Sequence, residues 1–341
     1  ASDRIVSAVA AAARTGGPAY GGDPLTKAVE RRIADLFEHD VAVFLVASGT
    51  FANSLALTAY ARPGGVVLCH ADAHINIDEA GATEFLGGLK LALIDGIGGK
   101  LAPDAVSATL ARYPEGGVHH GQPVAVSITQ ITENGTAYAP EEIAALARLA
   151  KGRGAALHMD GARFANAVAG TGKSPADLTW RAGVDVLSFG GTKNGCLAAE
   201  AVVFFDRSHA RDVGFQRQRA GQGFSKNWFL AAQFDAYLRD SHWLELARHA
   251  NGMAARVAAA IRESGKGRLV SEPAGNEVFA ILPESVVQRL KSAGAAFYPW
   301  QTHTIRPDEA PGADESIVRF VTSWQTPDDD VERFRDALAA A

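Results

Sequence analysis

The chain predicts an α/β protein: a large domain built on a mainly parallel sheet between helices, followed by a smaller α+β domain at the C-terminal end. Three observations carry this prediction. Short apolar runs rich in β-branched residues alternate with stretches of helical character, as in a parallel sheet covered on both faces. From Arg268 onward the alternation gives way to fewer strands and two amphipathic helices. Finally, 341 residues with 47% hydrophobic and 21% charged content are enough for one large core and a second, smaller one.

Taken in order, Ala1 to Ala13 reads as an amphipathic helix with Ile5, Val6 and Val9 on one side and Ser2-Asp3 as caps. Asp23-Pro24 opens a second helix, with proline in the first turn and Leu25, Val29, Ile33 and Leu36/Phe37 at helical spacing. Strands are predicted at Val41 to Val46, Val66 to Cys69, Leu89 to Ile94, Val124 to Ile128, Ala155 to Met159, Val184 to Leu187 and Ala201 to Phe205. Helices are predicted between them, among others at Phe51 to Tyr60, Pro140 to Ala150 and Pro175 to Ala182. A helix-rich stretch from Trp228 to Glu263 then bridges to the second domain, whose strands lie near Val278 to Leu282 and Ile317 to Val321 and whose helices are Ser285 to Ala293 and Pro327 to Ala340. The expected division is 14–240 for the large domain and 241–341 for the small one, with residues 1–13 packing on the small domain or at the interface. Ile305 to Pro311 has no periodicity and reads as a surface loop, placed where it can rim a site.

The formal net charge of −5, without a long run of like charges, makes nucleic acid and membrane surfaces poor partners. The two cysteines, Cys69 and Cys196, are far apart and form no Cys-x-x-Cys pair, which points to a reducing cytosol and against disulfides or zinc. No run reaches the roughly 18 apolar residues of a membrane span, and the first residues lack the charged start and long apolar centre of a signal peptide. The expected location is therefore the cytoplasm, and no metal is expected.

Three strand ends carry the chemistry. Asp185 to Gly195 runs from an apolar strand into a turn that presents Lys193 among Gly190, Gly191 and Gly195, where a flat group can approach the backbone. Such a lysine is either a solvated turn residue or a nucleophilic amine. Ala155 to Met159 ends at Asp160, at the carboxyl edge where ligands of open α/β sheets bind. A carboxylate buried there needs a cationic partner, such as a protonated pyridine nitrogen. Phe44 to Val46 opens into Ser48-Gly49-Thr50 and then a helix, either a plain N-cap or a phosphate cradle. Together the three suit one cofactor, pyridoxal 5'-phosphate, with phosphate at Gly49 and Thr50, ring nitrogen on Asp160 and aldehyde on Lys193.

From Tyr20 to the end the sequence resembles the threonine aldolase family, in its bacterial low-specificity and phenylserine aldolase branch. The residues that carry the likeness are Tyr20-Gly21-Gly22-Asp23-Pro24, Ser48 to Asn53, His74 to Gly81, Ser127 to Gln130 with Glu133 to Thr136, His158 to Asn166, Ser188 to Gly195 and Val318 to Ser323. The short segment bearing Ser-Asp that members carry ahead of the first helix looks absent or shortened. The resemblance implies the aspartate-aminotransferase-like fold, fold type I of pyridoxal-phosphate enzymes. It also implies that His74 stacks on the pyridine ring and is a candidate for the β-hydroxyl proton, and that Arg163 and Arg319 clamp the substrate carboxylate. Glu79 either hydrogen-bonds at the site or begins a helix. Glu133-Asn134 stands where some members have a histidine near the substrate side chain, which leaves the β-hydroxyl base open. Among Arg211, Arg217, Arg219 and Lys226, some residue is implied to approach a neighbouring subunit's phosphate, and Tyr20 to lie near a subunit boundary and the substrate. His70, four residues before His74, has metal-like spacing, but the strand-to-turn context speaks against a helical ligand pair.

The reaction implied is cleavage of an L-β-hydroxy-α-amino acid (threonine, allo-threonine or phenylserine) to glycine and an aldehyde, in a homodimer or homotetramer. The competing reading is a pyridoxal-phosphate β-eliminating lyase acting on aromatic or sulfur amino acids. A non-catalytic cofactor-binding protein would be a different class, against which Asp160, Lys193 and Arg319 together argue.

Overall fold

The computed structural model describes residues 1–300, 305–306 and 309–341. Its larger sheet consists of β1 (Ala42–Val46), β2 (Gly65–His70), β3 (Lys90–Ile94), β4 (Gln122–Thr129), β5 (Ala156–Gly161), β6 (Val186–Gly190) and β7 (Glu200–Phe204). They lie in the order β1-β7-β6-β5-β4-β2-β3. Only β7 runs against its neighbours, so β1, β2, β4, β5 and β6 bring their carboxyl ends, and β7 its first residue Glu200, to one edge. All seven predicted strands are present, and both faces are buried, as a parallel sheet requires.

The second sheet has four strands, β8 (Arg268–Leu269), β9 (Glu277–Pro283), β10 (Tyr298–Pro299) and β11 (Glu315–Val321), in the antiparallel order β10-β11-β9-β8. Helices Glu284–Ser292 and Asp328–Ala339 pack on it around Val278, Ala280, Leu282 and Val318. The helix His242–Ser264 spans both units, packing on helix Phe164–Thr171 of one and on Asp328–Ala339 of the other. The two units also meet at Gly135, whose carbonyl accepts from Ala274 N at 3.2 Å. Its φ is +77°, and a Cβ there would stand 3.0 Å from the Phe279 ring, so a side chain at this position would separate the units.

Several local expectations are corrected. β6 does not stop at Leu187: Ser188 and Phe189 pair with Asp160 and Gly161 on one side and with β7 on the other, and this double pairing extends the strand to Gly190. Pro175 to Ala182 is a series of turns ending in a 3₁₀ turn at Trp180–Ala182, because Thr179 (φ −128°, ψ −108°) leaves the helical region. The helix-rich Trp228 to Glu263 stretch is present as expected, in two helices, Trp228–Leu238 and His242–Ser264, parted at Asp240 and Ser241, both at positive φ. In the first helix, Asp3–Ala12, Ile5 is buried but Val6 is 46% exposed, so Ile5 and Ala12 rather than the Ile5/Val6/Val9 set form the inner face. That helix packs on Trp228–Leu238, and Ser2 Oγ bonds His242 Nε2 at 3.1 Å instead of capping it. Part of the Ile305 to Pro311 loop, positions 307 and 308, lies outside the described residues.

Phe189 is the hub of the core behind the lysine turn. Fully buried, it meets the rings of Phe37, Phe164, Phe234 and Trp243 at centroid distances of 5.9, 5.6, 5.7 and 5.7 Å. Phe189→Ala is expected to destabilise the chain by about 3–5 kcal/mol, read as a lowered denaturation midpoint, because so enclosed a cavity has little room to collapse.

Candidate active site

The lysine turn is anchored on both sides of Lys193. Gly191 N donates to Glu200 Oε2 at 2.9 Å, and Ala199 N donates to Thr192 Oγ1 at 3.2 Å. On the other side Asn194 is buried, its Nδ2 donating to Tyr237 Oη at 2.9 Å and to the Trp243 carbonyl at 2.8 Å. With its neighbours fixed inward, Lys193 is left exposed and lines a cavity of about 250 Å³ along the carboxyl edge of the sheet. Glu200, at the head of β7, lines the same cavity, and burial pushes its carboxyl up to about 7.

Asp160 is 4% exposed. Its Oδ1 accepts from Ala162 N and its Oδ2 from Asn53 Nδ2, each at 2.9 Å, and none of these donors is a cation. Asn53 Nδ2 also reaches Glu79 Oε1 at 2.9 Å, and the same oxygen meets His74 Nδ1 at 2.9 Å. His74, Glu79, Asn53 and Asp160 thus form one continuous polar chain. The Glu79 carboxylate holds the His74 pKa above its ordinary value, with burial and Lys193 opposing and Asp160 and Glu133 assisting. Burial raises Glu79 itself, against the hydrogen bonds of His74 and Asn53.

At the end of β1, Ser48 caps helix Gly49–Thr58, its Oγ accepting from Phe51 N at 3.3 Å. The helix begins at Gly49, ahead of the Phe51 expected from the apolar pattern. Gly49 and Thr50 therefore sit in the first turn, where amides have no intrahelical acceptor. A Cβ on Gly49 would meet nothing within 4 Å, so open space lies over these amides. Arg217 lies nearby, its guanidinium 5.6 Å from the centre of the Phe44 ring.

Arg163 enters the cavity at the N-terminus of helix Phe164–Thr171 and is paired not with Asp160 but with Glu277, Nη2 to Oε1 at 2.9 Å. Arg319 on β11 lies 3.6 Å from the same Glu277 oxygen, with its guanidinium 4.0 Å from the centre of the Trp300 ring. Glu133 lines the cavity as well; burial raises its carboxyl to about 7, with Arg163 opposing.

Amine, buried carboxylate, open helix N-terminus and Arg163 stand around one cavity, with Arg319 beside it through Glu277, a donor set that fits pyridoxal phosphate bound to an amino acid. A family model described as "Beta-eliminating lyase" matches residues 1–285. The low specificity L-threonine aldolase of Pseudomonas aeruginosa is 40% identical over 331 residues, covering 97% of this chain and 91% of the relative. The chain belongs to the β-eliminating lyase family, in its threonine aldolase branch. A second low specificity L-threonine aldolase, from a Pseudomonas species, is 38% identical and covers 90% of this chain and 85% of its own length. The threonine aldolase structure of Leishmania major superposes with a TM-score of 0.91 at 27% identity, over 99% of this chain and 96% of that one. The two-unit architecture is the aminotransferase-like fold type I.

Within this threonine aldolase framework, Ser48, Gly49, Thr50, His74, Glu79, Glu133, Asp160, Arg163 and Lys193 all line the cavity. Glu79 does not begin a helix; the next one starts at Ala82. Arg319 stands beside the cavity through Glu277, whereas Tyr20 is 59% exposed and does not line it. His70 uses both ring nitrogens, one toward the Gly96 carbonyl and one toward Asp72 N, each at 3.0 Å. Sequence reasoning missed Asn53, Glu200 and Glu277. Each had a signal: Glu200 and Glu277 are lone acids at the head of apolar strands, and Asn53 lies one helical turn after Gly49.

Proposed function

We infer that this chain is a pyridoxal-phosphate-dependent aldolase that cleaves L-β-hydroxy-α-amino acids to glycine and an aldehyde. The observation that carries the reading is the meeting of Lys193, buried Asp160 and Arg163 around one cavity, with Arg319 joined to Arg163 through Glu277, in a chain 40% identical to a low specificity L-threonine aldolase. When bound, the cofactor supplies an electron sink for the pair released at Cα.

The residues proposed to hold it are Lys193 through its amine, Asp160 at the ring nitrogen, and Ser48, Gly49 and Thr50 at the phosphate. Among the described residues Asp160 has no cationic side-chain partner, and it is matched to a protonated nitrogen. Arg163 and Arg319 hold the substrate carboxylate, which fixes the bond presented for cleavage. With Nδ1 committed to Glu79, His74 Nε2 is the atom placed to take the β-hydroxyl proton. As that proton leaves, the Cβ–O bond becomes the aldehyde carbonyl and the Cα–Cβ bond breaks. Lys193 delivers a proton to Cα, in balance with the one taken from the β-hydroxyl, which completes glycine. Glu133 borders the space for the β-substituent.

If neutral His74 is the base, kcat/KM rises with pH through the loss of its proton, and the midpoint lies above an ordinary histidine's because Glu79 raises it. Glu79→Gln removes the raising carboxylate while the burial that lowers the pKa remains. The limb is therefore expected to move to lower pH; a pH–rate profile in which E79Q leaves it in place would remove His74 from this role.

The substrate is a small amino acid. We place the enzyme in the cytoplasm as a homodimer or homotetramer, with Tyr20 and one of the 211–226 cations near the subunit boundary. No described helix is long and apolar enough to cross a membrane. We divide the chain at 240/241, which assigns one sheet to each domain. The function is tested in the synthetic direction: glycine with acetaldehyde or benzaldehyde should give a β-hydroxy-α-amino acid, and no such product would refute it.

A further inference from the structure

Glu277 is a carboxylate in an unusual position. It is 2% exposed, sits at the first residue of β9, and faces guanidinium groups from both structural units. Arg163 reaches it from the large unit at 2.9 Å and Arg319 from the small one at 3.6 Å. The β9–β11 register explains the second contact: Arg319 is paired with Phe279 and Val321 with Glu277, so Glu277 and Arg319 are diagonal neighbours on one face. Both contacts have ion-pair distances but not hydrogen-bond alignment, since among the described residues neither carboxylate oxygen has a hydrogen-bond partner and the Nε atoms of both arginines have none either. Donors on both arginines therefore remain for another anion.

Building on the aldolase reading, we propose that Glu277 is the positioning residue of the carboxylate clamp: it holds Arg163 and Arg319 together across the two units and leaves the clamp one net positive charge for a monocarboxylate amino acid. Two effects compete. Glu277 occupies donors that a substrate carboxylate would use, which weakens binding. It also screens two like charges that would otherwise repel each other in a buried space, and it freezes two long side chains in place before substrate arrives. Orientation prevails on the observed geometry, because neither contact of Glu277 with an arginine is aligned as a hydrogen bond, while each guanidinium carries five N–H donors. Substrate then meets a clamp already assembled, and the ordering cost is not drawn from its binding. Because Glu277 touches no substrate in this arrangement, it acts only through the arginines.

The test is calorimetric binding of glycine to the cofactor-loaded protein, beside steady-state kinetics with L-threonine and thermal unfolding. Glu277→Gln keeps the shape and removes the charge. It is expected to weaken glycine binding and raise KM by about tenfold, with kcat falling by no more than about threefold. Glu277→Asp restores the charge and is expected to recover glycine affinity to within about threefold of wild type. Glycine binding by Glu277→Gln as tight as, or tighter than, that of wild type would overturn the proposal and show competition instead of orientation. Equal losses in both variants would also overturn it, leaving only a packing role, and if Glu277→Gln does not fold, the Asp variant alone decides by the same threshold. Should wild type release no aldehyde from threonine, allo-threonine or phenylserine, the aldolase reading fails, and the glycine titrations still score Glu277 independently.

Discussion

Lys193→Ala is expected to abolish turnover, with a loss of at least roughly 10³-fold, and to remove the visible absorbance of covalently held cofactor. Lys193 is the only lysine lining the cavity among the described residues, so no second amine takes over either its covalent role or its delivery of a proton to Cα. The turn itself should survive the change. Its anchors are Gly191 to Glu200, Thr192 to Ala199 and Asn194 to Tyr237, none of which uses the lysine side chain. The thermal midpoint without cofactor should therefore stay near that of wild type. A variant that keeps the absorbance would place the anchoring amine elsewhere.

The second large effect is expected at Asp160. Asp160→Asn keeps the size of the side chain and an oxygen for one of the two donors, Asn53 Nδ2 or Ala162 N, but removes the buried negative charge. A ring nitrogen then has no anion to keep it protonated, and the loss in kcat should be on the order of 10²–10³-fold. Cofactor binding should also stabilise the variant less than it stabilises wild type, measured as the difference in thermal midpoint with and without pyridoxal phosphate. Equal stabilisation of both proteins would show that the charge at Asp160 is not matched by the cofactor.

The strands are legible in the sequence because each is a short apolar run between turn residues, and a sheet buried on both faces needs nothing subtler. The strand ends are legible for the same reason: where Met159 gives way to Asp160, or Val46 to Ser48, the change from apolar to polar marks the edge where ligands bind. Segments governed by tertiary pairing are harder. β6 runs on through Ser188 and Phe189 only because β5 and β7 flank it, and Pro175 to Ala182 has a helical pattern that Thr179 interrupts. The local pattern marks Glu277 only as an acid at the head of an apolar strand, and its role is out of reach there, since its partners are Arg163, more than 100 positions away, and Arg319 on a cross-strand diagonal. The Asn53 link between Asp160 and Glu79 is hidden likewise, because it joins residues from three separate segments.

The most direct measurement is the product balance when the cofactor-loaded enzyme is given L-threonine, L-allo-threonine and the phenylserine isomers, with aldehyde, glycine, keto acid and ammonia all quantified in the same mixture. The account predicts aldehyde and glycine in equal amounts, with little keto acid, from at least one of these substrates. Keto acid and ammonia without aldehyde would contradict it and move the chain to the β-eliminating side of its family.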